Sequence, residues 1–292
     1  MELNIKKKYL IEVEELFEIL DSKDLVIIDT REPEDYLIDH IPGAVNVYDI
    51  FTYLATQENG SYEALIKNFS EIFGNAGIEG NETVIVYEDA MDNGYGRSCR
   101  GYFLLTYLGH QNVRVLHGGY QAWISKNLPV TRKIPNVQKK IFNAKVDSSI
   151  ILTKDEMLNS LSSDDIIKLD CRDHAEWVGV SSSPYGPEFT PRKGRIPGAI
   201  WIEWYKTMCQ KNYITFFKEP DELKKMFNSY GITENSEVYV YCFKGARTSN
   251  MFIALKLAGI NKVRNYFASW NEWSRDFSLP IEKGYPKPKF LF

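Results

Sequence analysis

The chain repeats itself at long range, and the repeat restricts the fold more than any other feature. Leu25-Val26-Ile27-Ile28-Asp29-Thr30-Arg31 returns 141 residues later as Ile166-Ile167-Lys168-Leu169-Asp170-Cys171-Arg172. His40-Ile41-Pro42-Gly43-Ala44 returns as Arg195-Ile196-Pro197-Gly198-Ala199 at an offset of 155, so the second copy holds 14 more residues between these motifs. Val84-Ile85-Val86-Tyr87 returns as Val238-Tyr239-Val240-Tyr241 at 154, and Gly109 through Trp123 returns as Gly259 through Trp273 at 150. The first copy therefore carries four extra residues just after Tyr87. Solenoid repeats are much shorter, whereas ~150 residues is an ordinary domain length. We place two tandem domains at residues 1–135 and 136–292. The join lies in the Lys- and Asn-rich stretch from Leu128 to Val146, where Pro129 and Pro135 interrupt regular structure.

Within each copy, short apolar runs such as Val84–Tyr87 and Glu237–Tyr241 read as strands, and Arg247–Leu257 reads as a helix packed on a sheet. Strands alternating with helices predict an α/β fold, each domain a mainly parallel central sheet with helices on both faces. A net charge of −4 over 292 residues argues against a surface that tracks nucleic acid. No apolar run approaches the ~20 residues of a membrane span. Lys6-Lys7-Lys8 is followed by Glu12, Glu14 and Glu15, not by the apolar core of a signal peptide, so a cytoplasmic protein is expected. The four cysteines, Cys99, Cys171, Cys209 and Cys242, are scattered, which suggests neither a zinc site nor a disulfide framework.

In parallel α/β sheets, ligands gather where strand ends enter helices. After the Val238–Tyr241 strand comes Cys242-Phe243-Lys244-Gly245-Ala246-Arg247-Thr248, leading into a helix. A cysteine there sits among backbone N–H groups and the positive end of the helix dipole. Lys244 and Arg247 add formal positive charge. All three effects favour the thiolate, so Cys242 is the candidate nucleophile and its pKa is expected to fall. Gly245 suits a position of unusual dihedrals. In the first copy, Tyr87 matches Tyr241, so Glu88 stands where Cys242 would be, and a carboxylate cannot replace a thiolate nucleophile. Cys99 falls in the first turns of a helix, and Cys171 matches Thr30 after a strand; both read as structural. Cys209 falls in no motif.

The combination of Asp-x-Arg, Ile-Pro-Gly-Ala, the Cys242 loop and Ala268-Ser269-Trp270-Asn271-Glu272-Trp273 resembles the tandem-domain rhodaneses, over nearly the whole chain. The resemblance implies two rhodanese-like domains, an inactive N-terminal one and a catalytic C-terminal one. It also implies a sulfurtransferase that carries sulfur as a Cys242 persulfide, with no metal or organic cofactor. Four residues separate Cys242 from Arg247; the cysteine phosphatases and arsenate reductases on this fold use five, and by resemblance the shorter cradle suits a sulfane sulfur donor.

By the same resemblance, Phe243, Lys244, Gly245, Ala246, Arg247 and Thr248 bind substrate. A basic residue at position 244 accompanies thiosulfate in the family, whereas small polar residues accompany 3-mercaptopyruvate. The best-known members have a substrate-contacting arginine where this chain has Glu176. Arg192, in the second-copy insertion, matches a family arginine and is expected to supply that charge. Trp270 is expected near the mouth of the site. Partners are expected to be a small sulfur donor and a thiol or cyanide acceptor, with thioredoxin-like or sulfur-relay proteins as protein acceptors, and neither nucleic acid nor membrane. A 3-mercaptopyruvate sulfurtransferase is the alternative reading, and two other classes stay open: a cysteine phosphatase or arsenate reductase, and a non-catalytic persulfide carrier or thiol sensor that uses the 88–98 loop for docking or gating.

Overall fold

The computed structural model describes residues 2–54 and 61–286. The first copy forms a five-stranded sheet from β1 (Leu10–Ile11), β2 (Leu25–Asp29), β3 (Ala44–Asn46), β4 (Thr83–Tyr87) and β5 (Val113–Leu116), in the order β1-β5-β4-β2-β3. Every pairing is parallel. The second copy repeats this with β6 (Ile166–Asp170), β7 (Ile200–Trp201), β10 (Glu237–Tyr241) and β11 (Lys262–Asn265), in the order β11-β10-β6-β7. Its counterpart of β1 shrinks to a single bridge between Ile151 and Asn265. A small antiparallel hairpin, β8 (Met208–Lys211) and β9 (Ile214–Phe217), follows β7 in the second copy. Among the described residues, no helix is long and apolar enough to cross a membrane.

Beyond Glu237 at the start of β10, the central strands β4 and β10 are β-branched and aromatic because both their faces are covered. The period of two then sorts the side chains into layers. Val84 and Val86 of β4, and Val238 and Val240 of β10, enter one continuous core shared by both domains. Ile85 and Tyr87 face an outer layer of the first domain, and Tyr239 and Tyr241 face an outer layer of the second. The shared layer includes Phe103, which stacks on Phe267 at 5.5 Å and meets Phe252 edge-on at 5.3 Å. Gly96 has φ +80°, and a Cβ there would lie 2.9 Å from the Ala246 carbonyl, so glycine lets the two copies touch at this point.

The repeated motifs build one bracket twice. Arg31 clasps Asp29 and donates to the Asp39 carbonyl; Arg172 clasps Asp170 and donates to the Gly194 carbonyl. Tyr87 and Tyr241 each donate to the aspartate of their own copy and accept the N–H of Ile41 or Ile196. Residues 132–147 contain neither helix nor strand. Within them, Lys140 donates to Gly74 and Lys145 to Leu108, so the segment lies along the first copy and the division at 135/136 falls inside it.

Candidate active site

By the same alternation, Cys242 continues β10 on the shared face, toward the first domain, while Phe243 turns to the outer layer. The Cys242 N–H donates to Ser269 Oγ at 3.0 Å, and its carbonyl accepts the Trp270 N–H. Ser269 adopts φ +57°, an uncommon conformation for a residue with a Cβ, and it aims this hydroxyl at the cysteine. The Gly245 N–H donates to Cys242 Sγ at 3.2 Å, and Thr248 Oγ1 and Ser269 Oγ lie 3.8 and 3.9 Å from it. Gly245 caps the Ala246–Leu257 helix with φ +89°, and a Cβ there would meet Phe267 at 2.6 Å. Conformation and space both demand glycine.

Burial by itself would push the Cys242 thiol up. A hydrogen bond with the Cys171 thiol, the Arg247 charge and the backbone N–H groups of Thr248 and Gly245 overcome it, and the pKa falls well below that of an ordinary thiol. Lys244 is half-buried, its Nζ 4.0 Å from the Phe51 ring centre and 5.0 Å from that of Tyr185. Burial, with repulsion from Arg100, lowers its pKa to about 8. Arg247 is held by two carboxylates: NH1 donates to Glu176 at 2.6 Å and to Asp173 at 3.1 Å, and NH2 donates to Glu176 at 3.0 Å. It polarises the thiolate by charge, but its fork is occupied by carboxylates. Glu176, the departure noted in the sequence, is thus the partner of Arg247.

The pocket over Cys242 is lined by Phe243, Lys244, Ala246 and Arg247 together with Pro184 and Tyr185, and by Phe51 and Tyr95 of the first domain. Pro184 and Tyr185 belong to the 14-residue insertion, which packs Tyr185 and Phe189 on Phe243 at 5.6 and 5.7 Å. Tyr95 belongs to the four-residue insertion, whose Asp92 also accepts a hydrogen bond from Thr215 in the second domain. Each insertion therefore walls the same site. Arg100, from the first domain's helix, is fully buried, sits 4.4 Å from the Phe267 ring and donates to the Lys244 carbonyl.

Two expectations need correction. Arg192 does not supply charge to the pocket: its guanidinium donates to the carbonyls of Trp273, Ser274, Asp276 and Leu279, clamping the chain after the last helix. Trp270 is fully buried, its indole N–H donates to the Arg192 carbonyl and its ring stacks under Arg172, away from the mouth. Cys171 also departs from a merely structural reading. Its Sγ donates to the Tyr241 carbonyl at 3.3 Å, just as Thr30 Oγ1 donates to Tyr87 in the first copy at 2.9 Å, yet the same thiol also acts on Cys242 and helps to hold its pKa down.

In the first copy the cradle holds its own carboxylate. Glu88 is buried and accepts Ser98 Oγ at 2.6 Å and the Arg97 N–H at 3.2 Å. Burial raises its pKa from 4.5 to about 7. The sign follows: between about pH 4.5 and 7 the unfolded chain ionises Glu88 and the folded chain does not, so stability falls with rising pH by up to about 3 kcal/mol. In Glu88→Gln the amide oxygen can accept the Arg97 N–H while the amide N–H donates to Ser98 Oγ, reversing that bond, and the titration is removed. Its stability relative to wild type, from urea unfolding, is expected to improve by about 2 kcal/mol between pH 5 and pH 8. Parallel pH curves for the two proteins would mean that Glu88 is charged in the fold.

The Rhodanese-like domain family matches residues 12–126 and again 153–276. A thiosulfate sulfurtransferase of Bos taurus is 29% identical, the match covering 84% of this chain and 80% of that protein. The sulfur carrier protein TtuD of Thermus thermophilus is 29% identical, over 90% of this chain and 89% of that protein. The wild-type structure of EanB superposes with a TM-score of 0.82 at 25% identity, covering 96% of this chain and 70% of that one. With two matches that together span most of the sequence, and with the paired sheets and strand-end brackets described above, the chain belongs to the rhodanese family as two rhodanese-like domains in tandem.

Proposed function

We propose that the protein is a thiosulfate sulfurtransferase whose sulfur travels as a persulfide on Cys242. The observation that carries this reading is the Cys242 thiol, lowered well below its ordinary pKa inside a four-residue loop whose Gly245 N–H points at the sulfur. The thiolate attacks the outer sulfur of thiosulfate; the S–S bond of the donor breaks and its electron pair leaves with sulfite. The Cys242 persulfide remains, held by the loop N–H groups, until cyanide or a thiol takes the terminal sulfur and returns the thiolate. Each step is attack of a nucleophile on a divalent sulfur with departure of a stable anion, sulfite and then the Cys242 thiolate, so these steps call on no metal or organic cofactor. The acceptor is a small thiol or cyanide, or a protein of thioredoxin-like or sulfur-relay type; the Thermus relative is named a sulfur carrier protein, in keeping with onward transfer of the sulfur. A reducing cytoplasmic setting keeps Cys242 available as a thiol.

Incubation with thiosulfate and cyanide is expected to form thiocyanate, and intact mass after thiosulfate alone should show one added sulfur. Absence of both would overturn the reading. Lys244 is a pocket cation with no carboxylate partner among the described residues, and it sets the donor preference. Because it loses its charge near pH 8, KM for thiosulfate should rise above that pH, while the low-pKa nucleophile stays active well into the acid range. Lys244→Ser should raise KM for thiosulfate by about tenfold, remove the alkaline rise, and affect 3-mercaptopyruvate less. Equal losses with both donors would show that Lys244 does not select between them.

A further inference from the structure

Behind Cys242 lies a second thiol that transfer to an external acceptor does not use. β6 and β10 run parallel, with Asp170 opposite Tyr241 as their last registered pair. Cys171 and Cys242 are the next residue on each chain, and the Cys171 N–H extends the ladder to the Tyr241 carbonyl at 3.1 Å. Neighbouring strands lie about 4.8 Å apart, and a disulfide spans Cα separations of about 4.4–6.8 Å. Both side chains point into the shared core layer, and both are buried. The first copy has Thr30 and Glu88 at these places, so the thiol pair exists only where sulfur is handled.

Direction matters as much as distance. Cys242 borders the pocket, whereas Cys171 is fully buried and is not among its lining residues. A second sulfur on Cys242 has the pocket to extend into, whereas Cys171 lies on the core side, outside the pocket lining.

We propose that Cys171 is an internal acceptor: when no external thiophile arrives, it attacks the inner sulfur of the Cys242 persulfide, expels sulfide into the pocket and leaves a Cys171–Cys242 disulfide. The inference rests on Cys242 carrying a persulfide. In the step, the Cys171–Cys242 S–S bond forms, the bond between Cys242 Sγ and the outer sulfur breaks, and the Cys171 proton leaves on the departing hydrosulfide. No outside oxidant enters, because the persulfide sulfur is reduced as Cys171 is oxidised. An external dithiol then reduces the disulfide, becoming a disulfide itself. Burial and the neighbouring Cys242 thiolate hold the Cys171 thiol well above its ordinary pKa. Discharge is therefore slow, and an external acceptor present in the pocket wins. The device empties a stranded persulfide and makes the enzyme's return to service depend on a dithiol.

The test separates loading from discharge. The protein is loaded anaerobically with thiosulfate, or with inorganic polysulfide should thiosulfate fail to load it, freed of donor by gel filtration, and left without acceptor. Loading, read as added sulfur by intact mass, reports on Cys242 alone. Wild type is then expected to release one equivalent of sulfide per loaded chain and to end two hydrogens lighter than the unloaded protein, with a Cys171–Cys242 peptide link that a dithiol removes. Cys171→Ser, which keeps a donor to the Tyr241 carbonyl, should load but release sulfide about tenfold more slowly, or less. Equal release by the two proteins, or release without the Cys171–Cys242 link, would overturn the proposal.

Discussion

Cys242→Ser is expected to lower thiocyanate formation by about a thousandfold or more and to abolish the sulfur adduct, while leaving the fold intact. The reason lies in what the loop stabilises. Burial disfavours an anion at this position, and the Cys171 thiol, Arg247 and the N–H groups of Gly245 and Thr248 reverse that preference for a thiolate. A serine hydroxyl ionises so much less readily that the same donors cannot make it an anion near neutral pH. The side chain fits, because oxygen is smaller than sulfur and Thr248 and Ser269 hydroxyls stand ready to bond it. Stability from urea unfolding should therefore stay within about 1 kcal/mol of wild type. Thiocyanate formation that survives the substitution would move the chemistry to another group.

How far the sequence could be read follows from which contacts are local. The brackets of Asp29, Arg31 and Tyr87, and of Asp170, Arg172 and Tyr241, join motifs that recur as units, so the repeat exposes them. The Cys242 loop is also local: seven consecutive residues contain the nucleophile, the glycine cap and the start of the helix. What the sequence hid was assembled across distance. Phe51, Tyr95 and Arg100 reach the site only because the two domains share one core layer, and no motif in the first copy announces it. Ser269 hid behind its neighbour Trp270: the segment drew attention to the indole, while the residue that bonds Cys242 is the serine before it. Arg192 looked like a free cation because a sequence cannot show four carbonyls converging on it. Cys171 matched Thr30 in position and in its backbone bond, and that agreement concealed a thiol that shares a core layer with Cys242.

Glu176→Gln is expected to weaken the fold and tighten the donor at once. Glu176 is buried and receives both terminal nitrogens of Arg247, and its carboxylate also caps the short His174–Trp177 helix through the Asp173 N–H. Removing one partner of a buried pair leaves an uncompensated charge, at a typical cost of about 3–5 kcal/mol. Asp173 remains as a second acceptor for Arg247, although its side chain is 39% exposed, so a loss of about 3 kcal/mol is expected from urea unfolding. The catalytic consequence runs the other way. With Glu176 in place, Arg247 reaches the pocket as half of a neutral pair, and the dianionic donor meets Lys244 as its main cation. With glutamine, Arg247 keeps its charge and frees donors toward the pocket it already lines. KM for thiosulfate should fall by about tenfold, equivalent to about 1.4 kcal/mol. At high salt the gain should shrink, as expected for an anion drawn by an added charge. A KM that stays the same or rises would mean that the Arg247–Glu176 pair acts only as a brace for the loop, and that Lys244 and the backbone N–H groups hold the donor without it.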